Sequence, residues 1–191
     1  MTNKELANLM FPNITKTIED YEKEYPERDL PEGAIVSRYA PSPTGFVHMG
    51  NMLSCFIEHR LPKQTKGVFY LRIEDTDQKR EVEGGIESII NAINALELNY
   101  NEGVMSKDTQ KGKYGPYVQS QRTEIYHTFI KYLIEQGMAY PCFCNEEELE
   151  DIRNKQKEAK ARIGYYGEYA KCRNLDNEER AKKIKAGCPY T

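Results

Sequence analysis

The sequence predicts an α/β fold built on a parallel sheet, and three stretches predict it. Ile35-Val36-Ser37-Arg38-Tyr39 is a β-like run that stops at a turn holding Pro41, Pro43 and Gly45; a segment with Met52, Leu53, Phe56 and Ile57 at helical spacing follows. Gly67 to Ile73 is a nearly continuous apolar run, the pattern of a buried parallel strand. From Glu81 to Leu96, Val82, Ile86, Ile89, Ile90, Ile93 and Leu96 fall on one helical stripe. Strand, helix, strand and helix in this order make the two strands parallel neighbours joined by a right-handed crossover.

Before this core, residues 1–33 read as an irregular arm. Pro12, Pro26 and Pro31 break it, and its helical pieces, around Glu5–Met10 and Ile18–Lys23, are short. The arm is expected to pack along the α/β domain. The first helix should run from about Gly50 to Arg60 and stop near Pro62, with Cys55 as small core filler and His59 at the surface or its boundary. The second strand ends in Glu74-Asp75-Thr76-Asp77, carboxylates that could hold a magnesium ion or cap a helix start. Residues 99–120 read as loop. A helix from Gln121 to Gln136 should bury Ile125, Phe129, Tyr132 and Leu133, leave His127 exposed and stop at Gly137. After Tyr140 the character changes. Asn145 to Glu148 reads as a capping box on a charged, peripheral helix, Gly164-Tyr165-Tyr166-Gly167 breaks it, and a short helix runs from Asp176 to about Lys185.

A strand, a Gly/Pro turn and a helix whose first amides face the turn make an anion site, with His48 within reach of the anion. Arg38 and Ser42 lie at the strand end, where an open α/β sheet places its ligand. The same pattern without ligand chemistry is a turn that reverses the chain and carries a solvated histidine.

Composition bounds the rest. The 191 residues suffice for one domain or one and part of another, and 39% hydrophobic with 30% charged residues is ordinary for a globular chain. No apolar run approaches the roughly 18 residues of a membrane helix. MTNKELANLM lacks a signal peptide's basic end and apolar core. Five cysteines, an odd number with four of them after position 141, point to a reducing cytoplasm rather than a disulfide framework. A net charge of −3 gives the whole chain no pull on nucleic acid, so any such contact rests on local patches. Lys155, Lys157, Lys160 and Arg162, then Arg180, Lys182, Lys183 and Lys185, are patches of that kind or simply solvated helix faces.

The exact wording narrows the reading. Arg38-Tyr39-Ala40-Pro41-Ser42-Pro43-Thr44-Gly45 with His48-Met49-Gly50-Asn51 resembles the first signature of glutamyl-tRNA synthetases of the bacterial type, R-F-A-P-S-P-T-G-x-x-H-I-G-G. It departs from that form at Met49 and Asn51. Glutaminyl-tRNA synthetases read P-P-E-P-N-G at this place, so Ala40-Pro41-Ser42 favours glutamate. Leu71 to Asp77 matches the family's L-R-I-E-D-T-D, and Tyr117 to Arg122 resembles its Y-x-Q-S-x-R.

The resemblance implies the N-terminal part of a class I aminoacyl-tRNA synthetase. Residues 34–140 would be the first half of a Rossmann-like parallel-sheet nucleotide-binding domain, and 141–191 the start of an α+β acceptor-binding insertion. It implies ATP with Mg²⁺, L-glutamate and tRNA(Glu) as substrates. Arg38, Ala40, Ser42 and Glu74 would hold glutamate. Thr44, Gly45, His48, Gly50 and Asn51 would line the ATP site, with His48 and Gly50 on the phosphates. Asp77, Arg80 and Arg122 would lie toward tRNA. Some members carry zinc on a C-x-C pair and a later C-x-H. Here Cys142, Cys144 and Cys172 are kept and Asn174 replaces the histidine, which leaves Cys188, Tyr165, Tyr166 or Tyr169 as fourth ligand, or free thiols. The family's second, K-M-S-K-S-like signature is absent. The 191 residues alone are therefore expected to be inactive, and the parent enzyme a monomer. Two other readings use the same residues: a truncated paralogue that glutamylates a modified tRNA base, and a non-catalytic tRNA- or zinc-binding module.

Overall fold

The computed structural model describes all residues from Met1 to Thr191. In chain order its elements are α1 (Asn3–Met10), α2 (Ile18–Glu24), β1 (Val36–Tyr39), α3 (Met49–Thr65), β2 (Val68–Leu71), α4 (Gly85–Ala95), β3 (Glu102–Ser106), β4 (Thr109–Lys111), α5 (Thr123–Glu135), α6 (Glu146–Glu158) and α7 (Asn177–Lys185). Short 3₁₀ turns lie at Gln119–Arg122, Gly167–Tyr169 and Lys171–Asn174. The residues group into two units, Glu19–Ile125 and Met1–Ile18 with Tyr126–Thr191. No helix is long and apolar enough to cross a membrane.

Glu19–Ile125 holds the sheet, ordered β1-β2-β3-β4. β1 and β2 pair in parallel from Val36 opposite Val68 to Tyr39 opposite Leu71, as the β-α-β-α pattern requires. β3 continues the parallel set, pairing Tyr70 with Glu102 and Leu71 with Gly103, and β4 closes it antiparallel. Phe69, Leu71, Ile73, Ile89, Ile93 and Val104 fill the core between sheet and helices. β3 and β4 correct the loop expected over 99–120. Their short, largely polar sequence with Gly103 in it hides a strand, because Gly103 adopts φ +135° and a Cβ there would stand 2.3 Å from the Leu71 carbonyl oxygen. Only glycine lets β3 approach β2 this closely.

α3 differs from expectation in length and in face. It continues through Pro62 to Thr65. A proline inside a helix leaves the carbonyl four residues earlier without its amide donor. Here that carbonyl, Glu58 O, accepts a hydrogen bond from the Ser37 hydroxyl of β1. The buried side of α3 is Met52, Cys55, His59 and Pro62, whereas Leu53, Phe56 and Ile57 are exposed. Cys55 is core filler as expected. His59 is buried, its ring edge-on to Phe69 with centroids 5.6 Å apart. α4 begins at Gly85 rather than Glu81, since the Val82 amide is drawn away to the Pro43 carbonyl at 2.9 Å.

In the other unit, Leu6 and Ala7 of α1 pack with Ile134 of α5, edged by Met10, Phe11, Ala139 and Ile184. Residues 1–18 of the arm therefore group with the C-terminal residues, and the arm from Glu19 onward with the sheet. α5 buries Thr128 and Ile134, while Phe129, Tyr132 and Leu133 of the expected face are exposed. α6 has the capping box foreseen at Asn145 and Glu148, and its one buried residue is Gln156. The Gln156 side-chain amide is satisfied at both ends by Gly164, accepting from its N–H at 3.0 Å and donating to its carbonyl at 2.7 Å.

Candidate functional site

The tips of β1 and β2 are tied together beyond their ladder. The Arg72 amide donates to the Tyr39 carbonyl at 3.0 Å and the Glu74 amide to the Pro41 carbonyl at 2.9 Å. This brings the start of the Pro-rich turn against the acidic end of β2. Arg38 Nη2 stands 3.5 Å from Glu74 Oε1, and Arg72 Nη2 donates to the same oxygen at 2.7 Å. Opposite charges thus lie side by side at the carboxyl ends of two parallel strands, where open α/β sheets bind ligands.

The turn then delivers the chain into α3. His48 is the N-cap, and its amide donates to Asn51 Oδ1 at 3.2 Å. Asn51, one of the two departures from the family string, therefore caps the helix. The His48 ring lies over Gly50, where a Cβ would come within 3.1 Å of Cε1 and Nδ1. Ser42, Thr44, Gly45, His48 and Asn51 line one cleft of about 280 Å³ together with Tyr39 and Phe46. The first amides and positive dipole end of a 17-residue helix, with an exposed imidazole beside them, suit an anion such as phosphate. Ala40 connects β1 to this turn.

Glu74, Asp75 and Asp77 go to separate partners rather than to one shared point. Glu74 faces the two arginines, Asp75 accepts from Ser120 N at 2.9 Å and Oγ at 2.5 Å, and Asp77 pairs with Arg80. Neither expectation for this run, a three-carboxylate magnesium cage or a helix start, matches that arrangement. Asp77 and Arg80 form an exposed local pair, and Arg122 Nη1 donates to the Pro116 carbonyl at 2.8 Å.

In the second unit Cys142, Cys144 and Cys172 bring their sulfurs within 4.8 Å of one another. The Tyr165 hydroxyl lies 3.3 Å from the sulfurs of both Cys142 and Cys144. Burial pushes the Cys144 thiol up to about 11 and raises Tyr165. At Cys172 burial also opposes the thiolate, but the Phe143 amide at 3.4 Å and the Tyr165 hydroxyl outweigh it and lower its pKa. A tetrahedral metal at about 2.3 Å from each sulfur sets sulfurs about 3.8 Å apart. Cys144 and Cys172 are 3.7 Å apart. The three sulfurs with the Tyr165 hydroxyl beside them therefore fit zinc, and Cys188 is not part of the cluster.

Two participants were not singled out from sequence. Arg72 shares a strand face with Glu74 at i, i+2, a signal that alternation alone carries. Ser120 reaches Asp75 across 45 residues, for which no local pattern exists.

Residues 34–191 match the family model of class I tRNA synthetases (E and Q), catalytic domain. The glutamate–tRNA ligase of Clostridium perfringens is 53% identical over 190 residues, covering 100% of this chain and 35% of that protein. That of Acetivibrio thermocellus is 51% identical over 185 residues, covering 96% and 34%. The crystal structure of a glutamate tRNA ligase from Elizabethkingia meningosepticum in complex with its amino acid superposes with a TM-score of 0.70 at 31% identity, over 82% of this chain and 31% of that one. The chain thus spans about a third of the length of the curated relatives it matches.

Proposed function

The chain belongs to the class I tRNA synthetases of the E and Q group, and from that premise we propose that it supplies the glutamate pocket and the phosphate side of the ATP site of a glutamate–tRNA ligase. The observation that carries this reading is the Arg38–Glu74 pair at adjoining strand tips. A free α-amino acid with a second carboxylate presents an ammonium and an anion, and the pair offers the complement of each.

Arg38 takes the side-chain carboxylate of glutamate through its guanidinium fork, which lysine lacks. Glu74 takes the ammonium, and Ser42 with the Ala40 backbone completes the pocket. The α-carboxylate then attacks the α-phosphorus of ATP, forming the glutamyl-adenylate and expelling pyrophosphate. The 2′-hydroxyl of the terminal adenosine of tRNA(Glu) next attacks the anhydride carbonyl and AMP leaves. Phosphoryl transfer asks mainly for positioning and charge neutralisation. His48 and the Gly50 amide neutralise the phosphates, Thr44, Gly45 and Asn51 line the nucleotide, and Mg²⁺ arrives with ATP. Asp77, Arg80 and Arg122 lie on the tRNA side. Cys142, Cys144 and Cys172, with the Tyr165 hydroxyl beside them, would hold a structural zinc and so tie the C-x-C turn to the Lys171–Asn174 turn.

The test places this chain in the matching third of the C. perfringens ligase and follows glutamate-dependent ATP–pyrophosphate exchange. The expected result is activity with glutamate and little with glutamine. Arg38→Lys should raise KM for glutamate about tenfold or more and KM for ATP less than about threefold. Equal losses for both substrates, or an inactive chimera that folds, would refute the reading.

A further inference from the structure

Glu74 gains its position from both sides. On one side its amide is held by Pro41. On the other, the segment Tyr117–Ser120 grips both of its sequence neighbours. The Ile73 amide donates to the Tyr117 carbonyl at 2.9 Å, the Gln119 amide returns the bond to the Ile73 carbonyl at 2.9 Å, and Ser120 takes both oxygens of Asp75.

That segment is in turn anchored from the arm. Arg28 makes a two-pronged pair with Glu102 of β3, Nη1 to Oε1 at 2.5 Å and Nη2 to Oε2 at 2.8 Å. Both side chains are about 15% exposed, so water competes little for them. The buried Tyr117 donates its hydroxyl to the same Glu102 Oε2 at 2.7 Å and accepts the Tyr114 amide at 3.0 Å. The Arg28 guanidinium also lies 3.7 Å above the Tyr114 ring, and the Tyr114 hydroxyl donates back to the Pro26 carbonyl at 2.9 Å. Fork geometry, a stacked aromatic and a shared acceptor are more than a surface ion pair provides. A chain of contacts therefore runs from Arg28 through Glu102 and Tyr117 to the residues on either side of Glu74.

We propose that Arg28 is a positioning residue for the amino-acid site, setting the Tyr117–Ser120 segment through Glu102 and Tyr117 and so holding Glu74 for the substrate ammonium. The claim rests on the glutamate reading of Glu74 given above.

Hydrogen exchange on this chain tests the mechanical half. Arg28→Gln should speed exchange of the Ile73, Gln119 and Ser120 amides about tenfold or more, while Met52 and Cys55 in α3 stay within about twofold. Arg28→Lys, with the charge but not the fork, should fall between. Tyr117→Phe should give part of the effect, and adding it to Arg28→Gln should add little, because both cut one path. In the chimera, Arg28→Gln should raise KM for glutamate about tenfold and leave KM for ATP within about twofold. Unchanged exchange at the three amides, or an equal rise throughout the unit, would overturn the proposal. So would looser amides with unchanged glutamate KM. If the unmodified chimera is inactive while the three amides respond as stated, the function reading falls and the clamp alone stands.

Discussion

At the scale of single residues, the arrangement works by giving each carboxylate at the end of β2 its own side-chain partners. Arg38 and Arg72 share Glu74, Ser120 takes Asp75, and Arg80 takes Asp77. In the thiol cluster one phenol stands beside two sulfurs. If Tyr165 is the fourth donor to zinc, Tyr165→Phe keeps the three sulfurs but removes the oxygen. It should weaken zinc retention by about tenfold or more in a competition with a chelator, while Cys172→Ser should lose the metal on dialysis. Purified protein with no zinc, or a Tyr165→Phe protein that holds it as tightly as the parent, would rule the assignment out. The sequence named the three cysteines and left Tyr165 among several candidates. Spacing along the chain could not choose, because Tyr165 and its neighbours 166 and 169 all fall within reach of such a turn.

At the scale of elements, α3 shows how a proline is tolerated in mid-helix. Its cost in a helix interior is about 3 kcal/mol when the freed carbonyl has no other donor. Ser37 supplies that donor across the β1–α3 contact. Ser37→Ala should therefore destabilise the protein by about 1–2 kcal/mol in urea unfolding, since a part-buried acceptor is left unsatisfied. Pro62→Ala in the Ser37→Ala background should recover part of that loss by restoring an amide at position 62. A Ser37→Ala change below about 0.5 kcal/mol would show that water already serves the Glu58 carbonyl. β3 is the other instructive element. The strand was not visible in the sequence, because a glycine required by close approach to Leu71 reads locally as a loop signal.

At the scale of the whole molecule, the chain covers about a third of its relatives, and β1 is an edge strand with Val36 exposed. On α3, Met49, Leu53, Phe56, Ile57 and Leu61 present a helical stripe that is largely exposed, Leu53 at 62% and Ile57 at 51%. An apolar stripe of this length in water favours self-association at high concentration. Leu53→Glu with Ile57→Lys, an i, i+4 pair in the favourable order, should reduce concentration-dependent light scattering and change stability by less than about 0.5 kcal/mol. A loss of more than about 1.5 kcal/mol would mean that these side chains are buried after all.

The order strand, helix, strand, helix, the parallel pairing of β1 with β2, the helix cap at Asn145, the start of α7 near Asp176 and the three family strings were all legible in the sequence. The cap, the helix start and the strings are relations between residues close together in the chain, which backbone geometry turns directly into structure, and the pairing follows from the order of elements through the crossover rule. Which side of α3 and α5 is buried, the strands β3 and β4, the buried state of His59 and the Arg28–Glu102 fork were decided only in three dimensions. Periodicity says that a helix has an apolar side, but burial needs a partner, and the partner of Arg28 lies 74 residues away. No pattern local to either residue specifies that meeting; the packing of the sheet does.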